Sequence, residues 1–202
     1  MSEIRLRSTL LGLGLLALSA SGCGAALDES LPQNEAQPNA PEGILFLGPD
    51  DPLPPGFTIQ ALTATEQSQM LTAVNAGRAK SRNCGSTAYT AAAPLASNSL
   101  LISAAEKHAQ DMAANNYFSH TGRDGSTIGT RVTRTGYKWS TVGENIAAGY
   151  TTISATVDGW YASEGHCKNF MNKSFTQAGF GKGYSATSTY KYYWVAVLAK
   201  PL

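Results

Sequence analysis

Glu144 is a carboxylate in an unusual setting. It lies in Val142-Gly143-Glu144-Asn145-Ile146-Ala147-Ala148-Gly149, a small, apolar, glycine-bounded stretch, and it is the only acid between Asp124 and Asp158. A carboxylate among residues that usually go inside must be paired, hydrogen-bonded or bound to something, because burying it alone is very costly. Two of the three histidines, His120 and His166, stand one on each side of it in sequence. If the three meet, a His-Glu-His cluster can share protons as a polar network. The third, His108, falls with Leu101, Ala105 and Met112 on the apolar stripe of a helical pattern and reads as a satisfied core residue. Other chemistry has little support. Ser119 adjoins His120, but sequence neighbours do not make a nucleophile and base pair, and the chain has neither a Gly-x-Ser-x-Gly elbow nor a His-Glu-x-x-His motif.

These residues need elements to position them. Thr63-Ala64-Thr65-Glu66 has the spacing of a capping box and predicts a helix to about Ala79, with Arg78 near its end suiting the helix dipole. Residues 81–96 read as a connection. Asn98 is a fitting cap for a longer helix to about Asn116, and His120 follows just past its end behind Tyr117 and Phe118. A shorter helix from Ser126 to Gly136 carries Ile128 and Val132 inward. Thr152 caps another through Trp160, after which Glu164-Gly165-His166-Cys167 reads as a loop. The tail predicts a short strand at 179–181 and a longer one at 191–199. The latter is apolar on both alternating faces, hence central and covered on both sides. Helices first and strands later predict a three-layer α+β domain.

At 202 residues and 43% hydrophobic composition, the chain can build one sizeable core and a tail. Arg5 and Arg7 followed by apolar Leu10–Ala20 read as an export signal, too short to anchor in a bilayer. Ala20-Ser21-Gly22-Cys23 resembles a bacterial lipobox. Residues 1–22 are thus expected to be a lipoprotein-type signal peptide and Cys23 the lipidated residue, with plain cleavage after a small residue such as Ser21 as the alternative. Residues 23–60 hold seven of the nine prolines and six acids without one Lys or Arg, which predicts a disordered tether. From Ala61 to Leu202, the expected domain, there are 13 Lys and Arg against 7 Asp and Glu, a net of +6 that suits anionic envelope polymers or lipid headgroups. The cations form no run and no nucleic-acid motif, so no nucleic-acid partner is expected. With Cys23 lipidated, Cys84 and Cys167 are left as the only intramolecular pair. Their bridge is worth roughly 4 to 5 kcal/mol on the chain-entropy model.

Val74-Asn75 with Arg78, then His108-Ala109-Gln110-Asp111-Met112-Ala113, Phe118-Ser119-His120, Asp124-Gly125, Gly136-Tyr137, Gly143-Glu144-Asn145-Ile146-Ala147, Trp160, Gly165-His166-Cys167-Lys168-Asn169 and Phe175-Thr176 with Gly179 form an ordered run. Together they resemble the bacterial, SCP-like branch of the CAP superfamily: cysteine-rich secretory proteins, antigen 5 and pathogenesis-related 1 proteins. The resemblance implies an α-β-α sandwich with a central, mainly antiparallel sheet. It also implies a shallow cavity lined by two histidines and two acids, which in some members holds a divalent metal, often zinc. Carried over residue by residue, the cavity is His120, Glu144, His166 and Glu164, with His120, His166 and Glu144 as metal ligands. Glu164 lies one position later than in the eukaryotic pattern, and His166 stands in for a histidine that pattern has on a strand. The expected function is a secreted or lipid-anchored domain that binds a lipid, a sterol or an envelope component and is tied to the membrane by its N-terminal anchor. The alternatives are a metal-assisted hydrolase of peptide or cell-wall substrates with Glu144 as general base, and a non-catalytic scaffold.

Overall fold

The computed structural model describes residues 57, 58 and 60–202; the expected signal peptide, Cys23 and nearly all of the expected tether lie outside the described residues. Helix α1 (Ala64–Arg78) starts at the anticipated capping box, with the Thr63 hydroxyl accepting from the Glu66 amide and Glu66 reaching back to the Thr63 amide. The sequence-predicted connection at 81–96 instead holds a hairpin, β2 (Arg82–Cys84) with β3 (Thr87–Tyr89), and the short β4 (Ala96–Ser97). Gly85 turns the hairpin at φ +59°. Asn98 caps α2 (Ser99–Ala114) through its side chain, and Thr127 caps α3 (Ile128–Arg134). Strand β5 (Trp139–Ala148) contains the Glu144 stretch. Thr152 caps α4 (Ile153–Ala162), as expected.

Two further predicted features differ. The expected loop at 164–167 is a helix, α5 (Glu164–Met171). Distant residues tie it down: Cys84 is bonded to Cys167, and Arg78 donates to the Phe170 and Asn172 carbonyls at the end of α5 and to Phe175 O. Arg78 is buried to 1% exposure and so does more than complement a helix dipole; it satisfies carbonyls that the helix end leaves open. The short strand at 179–181 is nine residues long, β6 (Gln177–Ser185).

With β1 (Phe57–Thr58) and β7 (Tyr192–Pro201), the main sheet has the order β1-β6-β7-β5, all antiparallel, while β4 adds a parallel pairing to β6. The central β7 is buried from Tyr193 to Ala199. One face packs α2 and α3 against Ile146, Val195 and Val197. The other packs α1, α4 and α5 against Ala147, Trp194 and Leu198. This is the α-β-α sandwich, of the α+β class.

Helix α2 lies unusually close to the sheet because β6 has glycine at every second position facing it. A Cβ on Gly179, Gly181 or Gly183 would fall 2.1–2.3 Å from backbone atoms of Ile102, Ala105 and Ala109 respectively. This approach sets the depth of His108, on the same helix.

Candidate functional site

Successive residues of a strand point to opposite faces of the sheet, so Glu144 joins Ile146 and Ala148 on the α2/α3 side while Asn145 joins Ala147 on the α4/α5 side. The Glu144 side chain is 2% exposed, and both its oxygens are engaged. Oε1 accepts from His120 Nδ1 at 2.8 Å and Oε2 from Arg131 Nη2 at 2.7 Å. Arg131, itself buried on α3, also donates to His120 O at 3.0 Å and to Ser126 O at 2.8 Å. One guanidinium therefore fixes the carboxylate, the loop carrying His120 and the turn before α3. Burial alone would raise the Glu144 pKa, but the His120 hydrogen bond, the charges of His108 and Arg131, and the Arg131 hydrogen bond bring it below the ordinary value.

Asn145 works from the other side. Its Nδ2 donates to His166 O and its Oδ1 accepts from Asn169, whose amide also donates to Glu144 O. The strand is pinned to α5 at the glutamate. Gly143 leaves space for the Phe175 ring, whose Cζ would lie 2.7 Å from a Cβ there.

His108 is buried as expected, with Nε2 2.9 Å from Ser119 O. It is nevertheless part of the site's surroundings, since burial pushes its pKa down while the charges of Glu144 and Arg131 act on it in opposite directions. Its ring meets Tyr117 edge-on at 6.3 Å. His120 is the exposed member, with a side chain 43% accessible; two residues before it, half-exposed Phe118 packs edge-to-face on Tyr190 at 5.9 Å.

His166 and Glu164 are on α5, across the sheet from the Glu144 carboxylate. Glu164 is half-exposed, paired with Lys168 at 2.6 Å and packed over Gly85. His166 contributes its carbonyl to Asn145. The expected four-residue cavity is thus a His120–Glu144–Arg131 triad bordered by His108. Among the described residues no group of three or more His, Cys, Asp or Glu side chains can hold a metal ion. A divalent ion does not fit the donors at Glu144, because a guanidinium already neutralises the carboxylate and repels a second cation. Arg131 was legible in principle: Ile128, Arg131 and Val132 have the i, i+3, i+4 spacing of one inward helix stripe, and a buried lone acid needs a buried lone cation.

The family model for the cysteine-rich secretory protein family, CAP, matches residues 71–198. The chain belongs to that family. The uncharacterized membrane protein YlbC of Bacillus subtilis is 39% identical over 74 residues, 37% of this chain and 21% of that protein. The uncharacterized protein YkwD of Bacillus subtilis is 38% identical over 88 residues, 44% of this chain and 34% of that protein. The chain therefore spans between a fifth and about a third of the length of these relatives. A crystal structure of an extracellular protein containing an SCP domain from Bacillus anthracis is similar at 28% identity and a TM-score of 0.55, covering 69% of this chain and 44% of that one.

Proposed function

We propose that this CAP domain is an exported binding module that recognises its ligand at the outer edge of His120 beside Phe118 and Tyr190. The observation that carries it is the unequal exposure of the His120–Glu144 pair. The glutamate is spent internally on two charge-assisted hydrogen bonds, while the imidazole it orients stays 43% exposed, two residues along the chain from Phe118 and its edge contact with Tyr190. One polar group at the rim of an apolar surface is the usual make-up of a small-molecule site. The ligand class is a lipid, a sterol or an envelope component with a hydrogen-bonding head. Export is supported by the Arg5/Arg7 and Leu10–Ala20 pattern, by the Cys84–Cys167 bond and by the extracellular protein from Bacillus anthracis. No helix among the described residues is long and apolar enough to cross a membrane; attachment is through a lipid on Cys23. Nucleic acid is not a partner.

The carboxylate–imidazole contact also favours a second reading, hydrolysis with His120 as the base and Glu144 as its orienting partner. Glu144 itself is poorly suited as a base, being enclosed and held in its charged form. An NMR screen of a fragment library on the uniformly labelled protein tests the first reading: hits shift His120, Phe118 and Tyr190 and vanish in His120→Ala. Hits scattered elsewhere contradict it, and turnover of a peptide or muropeptide library that is lost in His120→Ala supports the second.

A further inference from the structure

On the other side of the sheet, two clefts meet along β3. One, of about 490 Å³, lies between Ala88-Tyr89-Thr90 and the end of α5 with the residues after it, including Lys168 and Lys173. The other, of about 400 Å³, lies between the same three residues and Ser81-Arg82-Asn83. Tyr89 is the shared ridge. It is half-buried on the Cys84, Cys167 and Met171 cluster, so the disulfide beneath it holds together the strand that forms one wall and the helix that forms the other.

The lining has three cations and no carboxylate. Arg82 is held in place, with Cζ 3.8 Å over the Tyr161 ring and Nη2 donating to Gly77 O at 2.9 Å. Lys173 Nζ reaches Thr90 Oγ1 at 2.6 Å, across the first cleft. Neither Arg82 nor Lys173 has a carboxylate partner among the described residues, whereas Lys168 is paired with Glu164. Fixed, uncompensated positive charge on both sides of a rigid aromatic ridge attracts a polyanion. The clefts are open, of mixed polar and apolar lining, and continuous past one ring, which suits an extended hydrated chain better than an enclosed apolar molecule. An aromatic face stacks on a sugar ring while flanking cations meet acidic groups on its neighbours.

We propose that these joined clefts bind an acidic polysaccharide strand, with Tyr89 under one sugar and Arg82 and Lys173 on carboxylates or phosphates to either side. This site is separate from the one around His120. The test is calorimetry of the full-length exported protein with tetragalacturonic acid, its methyl ester and a glycerol-phosphate oligomer of equal charge. Expected are binding of the acidic sugar that weakens about threefold from low to physiological salt, a further loss of about threefold in Lys173→Gln and about tenfold in Tyr89→Ala, and binding at least tenfold weaker for the ester. His120→Ala leaves this binding unchanged, so its result is distinguishable from failure of the His120 site. Lys173 is exposed and its replacement leaves the melting temperature unchanged, which keeps the test valid if Tyr89→Ala unfolds. Absence of binding, equal binding of the ester, undiminished binding by Lys173→Gln, or tighter binding of the glycerol-phosphate oligomer overturns the proposal.

Discussion

His120 and Glu144 are joined through Nδ1 and Oε1 at 2.8 Å, and Arg131 occupies the remaining Glu144 oxygen. A buried carboxylate is tolerated here because its charge is matched and both oxygens accept hydrogen bonds. Removing the guanidinium leaves a buried anion with one partner. Arg131→Met therefore costs about 3 to 5 kcal/mol, read as a shift of the urea midpoint, and the double variant Arg131→Met with Glu144→Leu recovers part of that loss.

Acid weakens the fold in two stages. The folded-state pKa of His108 is lowered, mainly by burial, so below about pH 6.5 the unfolded chain takes up a proton that the folded chain refuses, and stability falls as the pH drops. Glu144, Glu66 and Asp124 are also lowered; the stability they add is present above about pH 4.5 and is lost as the pH falls through their folded-state values. Glu106, raised by burial, offsets a part of the second stage. Melting temperatures between pH 8 and pH 3 display both stages, and His108→Gln flattens the first.

Gly181→Ala places a methyl group 2.3 Å from the Ala105 carbonyl carbon. No flexible side chain can yield there, so α2 must lift from the sheet. The expected loss is about 3 kcal/mol or more. Gly125→Ala, with nothing within 4 Å but φ +74°, costs less, about 1 kcal/mol. Thermal denaturation of the two variants side by side checks the order.

Cys84→Ser with Cys167→Ser removes a bond that closes an 83-residue separation, and lowers stability by about 2 to 5 kcal/mol. Hydrogen exchange rises first in β2, β3 and α5, the elements the bond joins, and remains slow in β7.

Three helices were legible because their starts are local: Thr63, Asn98 and Thr152 each cap with their own side chains. Helix α5 was not, because Ser163 makes no side-chain cap and the helix is held by Asn145 on His166, Cys84 on Cys167 and Arg78 on Phe170, contacts that span 21, 83 and 92 residues of chain. The continuous apolar run from Tyr192 to Ala199 announced a covered central strand, and the sheet confirms it. Glu144 and His120 could be paired from sequence, since both stand out from their surroundings. His166 could not be placed, because strand alternation separates Glu144 from Asn145 but does not reveal which helix covers which face. Arg131 escaped because attention to histidines and acids omits the cation that a buried acid needs.

The most direct test of the site is the nitrogen chemical shifts of the His120 imidazole in the full-length protein at neutral pH, with and without zinc. A ring that carries a proton on Nδ1 and does not change on adding zinc agrees with a glutamate that serves as an internal strut. A ring protonated on Nε2 alone, or a zinc-induced shift at Nδ1 that disappears in Glu144→Gln, contradicts it.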